Sequence, residues 1–170
     1  NINYSLDKDE LLFEQINKTE QNYPSEGILS HFKKNLSLYK NETFVSYKDK
    51  KYSYYETSKI VSYISSILVD YKKQRIGLFV SRSQNYLFGI LSILNINSTY
   101  VPLDDSYPDD RIKFMLTDSN ITCLIVDNLT LKRAKNLTDI KLINIADISS
   151  LENTPILINN DSNKDDPAVI

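Results

Sequence analysis

The sequence predicts a layered α/β domain, a mostly parallel β-sheet flanked by helices. Three observations predict it. Short apolar runs at 75–80, 98–101, 121–126 and 141–145 alternate with helical patterns, at a spacing that suits β-α-β crossovers. The stretch Gln84–Asn95 is apolar nearly all round, and a helix without a polar face lies buried between layers. Tyr54–Tyr71 carries Ile60, Ile64, Ile67, Leu68 and Tyr71 at helical spacing, so one of its faces belongs to a core.

Residues 1–26 are polar and read as a lead-in arm, with one short helix around Asp9–Ile16. The body of the domain is expected over 27–170. Ile28–Leu38 suits a helix, with Ile28, Leu29, Phe32, Leu36 and Leu38 available for one face. His31 in it reads as a packing or capping residue. Thr43–Tyr47 and Lys51–Ser53 are β-formers around Lys48-Asp49-Lys50, a hairpin pattern. The helix over 54–71 follows, with its second face expected in solvent.

Arg75–Val80 is a buried strand, Gln84–Asn95 the buried helix and Ser98–Val101 the next strand. Pro108 suits a first helical turn, where Asp109 and Asp110 place negative charge at the helix's positive end. Ile112, Met115 and Leu116 form that helix's core face. Ile121–Val126 is a strand, Leu129–Lys135 a basic helix or turn, and Lys141–Ile145 a strand. Residues 146–166 are polar and loop-like, and Pro167–Ile170 opens another apolar run.

A chain of 170 residues suits about one domain. Its net charge of -2 calls for neither nucleic acid nor an anionic membrane as partner. No apolar run reaches the ~18 residues of a membrane span, and no signal-peptide pattern is present. Cys123 is the single cysteine, so no internal disulfide can form; within an apolar run it reads as a small buried hydrophobe. With one histidine, neither a Cys/His zinc set nor a Ser-His-Asp triad can be assembled. Three glycines and no Gly-x-Gly-x-x-Gly argue against a dinucleotide-binding fold and leave little for a phosphate cradle. Asp104-Asp105 and Asp109-Asp110 could be drawn as a magnesium or acid–base cluster, yet on a turn and a helix start they read as caps. Arg82 could meet an anion and is read as pairing with a local carboxylate.

The run Leu94–Asp118 resembles a motif of amino-acid adenylation domains of nonribosomal peptide synthetases. The family pattern is L-K-A-G-x-A-Y-V-P-[IL]-D-P-x-Y-P-x-[ED]-R-[IL]-x-[YF]-M-L-x-D. Leu94, Tyr100, Val101, Pro102, Leu103, Asp104, Tyr107, Pro108, Arg111, Ile112, Phe114, Met115, Leu116 and Asp118 stand in matching places. Ser53, Tyr54 and Glu56 match the family's L-[TS]-Y-x-E-L, and Asn17, Thr19, Tyr23 and Pro24 match its lead-in N-x-T-x-x-x-Y-P. Ile96-Asn97 replaces Ala-Gly and Asp105 replaces a Pro. A Gly at the Asn97 place implies positive φ at a helix end, and Asn is the best substitute for it.

The resemblance implies the leading portion of the large N-terminal subdomain of an adenylate-forming enzyme. The parent would activate an amino acid with ATP and Mg, then load it on phosphopantetheine of a carrier domain. In the family a Gly-rich phosphate loop follows a segment like Asp166–Ile170. No position here matches a catalytic, cofactor-binding or metal residue of the family, so none is expected in this stretch, nor activity from it alone. Implied partners are the rest of the adenylation domain, neighbouring condensation and carrier domains and the amino-acid substrate, in the cytoplasm. Alternatives are an acyl- or D-alanyl-activating ligase of the same superfamily and a non-catalytic α/β interaction module.

Overall fold

The structure, a computed structural model, describes residues 7–20, 27–146, 148, 151, 154–159 and 167–169. The lead-in residues Tyr23 and Pro24 lie outside the described residues. Helix α1 (Asp7–Asn17) is longer than its apolar pattern predicts and presents Leu11, Phe13 and Ile16 to solvent. Helix α2 (Ile28–Leu38) has the expected bounds, but only Leu29 and Phe32 of its apolar residues are fully buried. His31, expected to pack or cap, is exposed, which corrects the packing alternative, and the N-cap of α2 receives no side-chain hydrogen bond. Two residues on from Leu29 is about half a helical turn, so His31 faces away from the core.

Strands β1 (Thr43–Tyr47) and β2 (Lys50–Ser53) form the antiparallel hairpin. Its turn takes a positive φ at Lys48. Helix α3 (Tyr54–Ile67) opens on a capping box: Ser53 Oγ accepts from the Glu56 N–H, and Glu56 Oε2 accepts from the Ser53 N–H at 2.8 Å. The Ser-Tyr-x-Glu resemblance is thus a physical helix start. The helix ends at Ile67 rather than Tyr71, tightening into a 3-10 turn over Val69–Tyr71. Ile67 is 41% exposed, against expectation, while Ile60, Ile64 and Leu68 are buried.

The second face of α3 is buried as well. Thr57, Ser58, Ser62 and Ser65 are all under cover. Small hydroxyl side chains let α4 (Gln84–Asn95) approach closely and give it partners. Ser65 Oγ donates to the Ser92 carbonyl, Ser92 Oγ to the Phe88 carbonyl, and Asn95 Nδ2 to Ser65 Oγ. Sequence polarity misleads here because satisfied serines bury at little cost.

Strands β3 (Arg75–Phe79), β4 (Thr99–Pro102), β5 (Cys123–Val126) and β6 (Lys141–Asn144) form one sheet in the order β4-β3-β5-β6, every pair parallel. Side-chain alternation explains the continuous apolar runs. Ile76, Leu78, Cys123 and Ile125 face α3 and α4, while Phe79, Leu124 and Val126 face α5 (Asp109–Asp118) and α6 (Leu131–Leu137). The chain steps one way from β3 to β4 and the other way through β5 to β6. Right-handed crossovers then place α4 opposite α5 and α6. No residue of α4 is exposed, and Gly89 lets it sit on Leu78: an added Cβ would lie 2.5 Å from Leu78 Cδ1. Cys123 is fully buried, and burial pushes its thiol up to about 12. Tyr100 also bridges Val169 in parallel at the outer edge of β4.

Pro108 sits at the N-cap of α5, one place before the helical turn expected for it. Helix α4 ends in a Schellman motif. Asn97 has φ of 55°, its N–H donates to the Leu94 carbonyl, and the Ser98 N–H donates to the Ile93 carbonyl. Asn97→Gly should leave stability nearly unchanged in urea melts. Asn97→Val should cost about 1–2 kcal/mol, the scale of forcing a β-branched residue into a left-handed conformation. Equal midpoints for the two variants would refute the cap.

Candidate functional site

In parallel α/β sheets, ligands gather at the carboxyl ends of the strands, where the strand order reverses. Here the reversal lies between β3 and its two neighbours. Two clefts open at that edge. One of about 550 Å³ lies over the ends of β3 and β4, lined by Tyr47, Arg82, Tyr86, Leu103, Asp104 and Tyr107 among others. The other, about 410 Å³, lies over the ends of β3 and β5 and includes Lys48, Lys50, Ser81, Ser83 and Asp127. The tip of the β1–β2 hairpin borders both through Tyr47.

Asp127 ties the crevice floor together. It is 3% exposed, and its Oδ2 accepts from the Ser81 N–H at 2.8 Å and from Ser81 Oγ at 2.5 Å. Its Oδ1 accepts from the Leu129 and Thr130 N–H groups, each at 3.0 Å. Thr130 Oγ1 donates to the Phe79 carbonyl at 2.6 Å, so the ends of β3 and β5 are bolted to each other. Burial pushes the carboxyl upward, but hydrogen bonds from Ser81 and Thr130 outweigh it and hold Asp127 below the usual range.

The acidic pairs have partners of their own. Asp104 Oδ1 accepts from the Ser106 N–H at 2.9 Å, and Oδ2 lies 3.4 Å from Arg82. Hydrogen bonding to Ser106, aided by Arg82, holds its carboxyl low. Arg82 is largely in solvent, so this pair contributes little. Arg133 is the stronger organiser. Its Nε donates to Asp109 Oδ1 at 2.8 Å, and its two terminal nitrogens donate to the Asp105 and Tyr107 carbonyls. One guanidinium thereby fixes the turn between β4 and α5. Tyr86 is shifted up by burial, with Tyr100 and Asp104 adding to it.

Arg82 and Asp104, both singled out in the sequence, do meet at this edge, whereas Asp109 and Asp110 start α5. Asp127, Arg133 and Tyr86 were not singled out. Asp127 had a readable signal, since Asp-Asn-Leu-Thr after an apolar run is a turn pattern. Among the described residues, no group of three or more His, Cys, Asp or Glu could hold a metal ion, and no helix is long and apolar enough to cross a membrane. The described residues do not fit ATP phosphates. Gly27, Gly77 and Gly89 sit at a helix start, inside β3 and inside α4, and the positive-φ residues Lys48, Lys73, Asn97 and Asn120 are isolated in turns. No run of backbone N–H groups converges among them as an anion nest does.

A model of the AMP-binding enzyme family matches residues 32–170. The chain belongs to that family. Bacitracin synthase 3 of Bacillus licheniformis is 37% identical over 70 residues, which is 41% of this chain and 1% of that protein. The AMB antimetabolite synthetase AmbB of Pseudomonas aeruginosa is 37% identical over 65 residues, 38% of this chain and 5% of that protein. The chain therefore matches only 1% and 5% of the length of these two relatives. Among solved structures, the nonribosomal peptide synthetase FmoA3 in its alpha-methyl-L-serine-AMP bound form superposes with a TM-score of 0.83 at 15% identity, covering 96% of this chain and 19% of that one. The N-terminal subdomain of Klebsiella oxytoca NpsA gives 0.69 at 17%, covering 87% and 38%. At such identities the structural likeness is one of fold. The family model and the relatives support the adenylation resemblance read in the sequence, and the solved structures share the fold.

Two stability predictions follow from the edge. Asp127 is held below its unfolded value, so its contribution is present above about pH 4 and is lost as pH falls through the lowered folded value. Asp127→Ala should therefore cost about 2–3 kcal/mol at pH 7, the scale of bonds to a charged group. Its urea midpoint should also fall less steeply than the parent's below about pH 4. Parallel acid profiles for the two proteins would refute the assignment. Arg133→Lys should cost about 1–2 kcal/mol, because one ammonium cannot span Asp109 and both carbonyls; an unchanged melt would refute it.

Proposed function

We propose that this chain is the leading part of an amino-acid adenylation domain, with 1–26 as its lead-in arm and 27–170 as the start of its large subdomain. The parent enzyme would convert an amino acid and ATP to an aminoacyl-adenylate and pyrophosphate. It would then pass the aminoacyl group to a phosphopantetheine thiol on a carrier domain. Its partners would be the rest of the adenylation domain and the neighbouring condensation and carrier domains.

One observation carries the reading. The motif residues 94–118 form a single unit, from the α4 cap through β4 and the Arg133-held turn to α5. Beside it, Pro167–Val169 runs parallel to β4, toward the sheet edge that holds both clefts. A phosphate loop following Asp166–Ile170, as the resemblance implies, would be delivered to that edge. The relatives' names, a bacitracin synthase and an antimetabolite synthetase, and the aminoacyl-AMP in the FmoA3 neighbour support the same reading.

On this reading the chain supplies a platform. Its residues hold the sheet edge and shape the clefts, while the catalytic, phosphate-binding and metal-binding groups belong to other parts of the parent domain. The 170 residues alone should neither bind Mg-ATP in calorimetry nor catalyse amino-acid-dependent pyrophosphate exchange. The adenylation domain containing them should do both with some amino acid. Exchange by the 170-residue chain would overturn the assignment of chemistry to the remainder.

A further inference from the structure

Residues 154–159 form neither helix nor strand, yet side chains of α3 and α4 hold their backbone as a neighbouring strand would. Asn95 Nδ2 donates to the Leu157 carbonyl at 2.8 Å, and Asn95 Oδ1 accepts from the Asn159 N–H at 2.7 Å. Ser62 Oγ accepts from the Leu157 N–H at 2.9 Å. Asn95 and Ser62 are both buried. Between these contacts Ile158 enters a cluster with Leu29, Phe32, Val61 and Leu91. One carboxamide thus grips the chain on both sides of an aliphatic anchor.

The same return segment is held again further on. Thr99 Oγ1 donates to the Pro167 carbonyl at 2.8 Å, and the Tyr100 N–H donates to the Ala168 carbonyl at 3.0 Å. Asn95 and Thr99 are two places where the chain departs from the family pattern, which has Lys and Ala there. A Lys ammonium has no acceptor for the Asn159 N–H, and Ala has no hydroxyl for Pro167. Both departures therefore serve one segment, at two points along it.

We propose that Asn95, with Ser62, and Thr99 form a two-point latch that holds residues 157–159 and 167–168 in place, making Asn95 and Thr99 positioning residues for the loop that follows them. The latch stands on the geometry alone. Its catalytic consequence rests on the adenylation reading, in which that loop binds the phosphates of ATP. A segment released at either point would deliver the loop to the sheet edge in several positions, so ATP binding would suffer more than turnover.

Amide hydrogen exchange of this chain tests the latch. Asn95→Lys, the family residue, should speed exchange at Leu157 and Asn159 by about fivefold or more, the scale of one neutral hydrogen bond. Thr99→Ala should do the same at Tyr100, and Thr99→Ser should restore protection. Unchanged protection in β3 and β5 marks the variants as folded. Unchanged exchange at Leu157, Asn159 and Tyr100 in folded variants overturns the latch. In the adenylation domain, Thr99→Ala should raise the KM for ATP in pyrophosphate exchange several-fold with a smaller change in kcat, reversed by Thr99→Ser. An unchanged KM beside faster amide exchange overturns the positioning role. Absence of exchange activity in the unaltered domain would sink the adenylation reading instead, and amide exchange alone would then decide the latch.

Discussion

Ile76, Gly77, Leu78 and Phe79 of β3 are all buried, so this strand needs an apolar layer on each side and a hydrogen-bonded neighbour on each edge. Most of the architecture follows from meeting those four demands. Parallel neighbours require crossovers, and crossovers bring helices. Because β4 and β5 lie on opposite edges of β3, right-handed connections send α4 to one face and α5 and α6 to the other. The same inversion separates the loops at the carboxyl ends of the strands and opens the clefts there. Gly77 belongs to this packing: an added Cβ would sit 2.5 Å from Leu124 Cδ1, so the side chain of its register partner on β5 occupies the space above it.

Two closed networks carry most of the polar groups in this interior, while the buried Thr57 hydroxyl lies outside them without a partner among the described residues. Ser65, Ser92 and Asn95 satisfy one another and helix carbonyls between α3 and α4. Asp127, Ser81 and Thr130 do the same at the end of the sheet. Each network joins segments far apart in the chain, and leaving one member unpaired costs more than the bond itself contributes. These networks therefore act on geometry as much as on stability. One sets the spacing of two helices, the other the spacing of two strand ends at the clefts.

The candidate site was partly legible in the sequence. Arg82 and Asp104 could be found because each follows a strand and Asp104 sits in a recognisable motif. Asp127 and Arg133 escaped notice because their meaning lies in partners 46 and 24 residues away, Ser81 and Asp109. Local pattern carries no record of such pairings. His31 shows the converse: its place within a helical pattern suggested packing or capping, but its angle around α2 leaves it in solvent. Ile67 was misread as well: it falls on the helical stripe of α3, yet as the last residue of that helix it is exposed while Leu68 after it is buried.

Periodicity, read from the sequence by itself, determined the element order, the parallel sheet and the burial of Gln84–Asn95, and the family pattern pointed to the left-handed cap at Asn97. Those features depend on residues within one or two turns of each other, where composition acts directly on conformation. The resemblance over Leu94–Asp118 determined the family for the same reason, being a contiguous run. Tertiary structure alone decided that the serine face of α3 is buried, that Asp127 bolts two strand ends, and that Asn95 grips a segment more than sixty residues away. A hydrogen-bonding side chain reads as polar whether its partner is water or a distant backbone. Only the packed chain distinguishes the two.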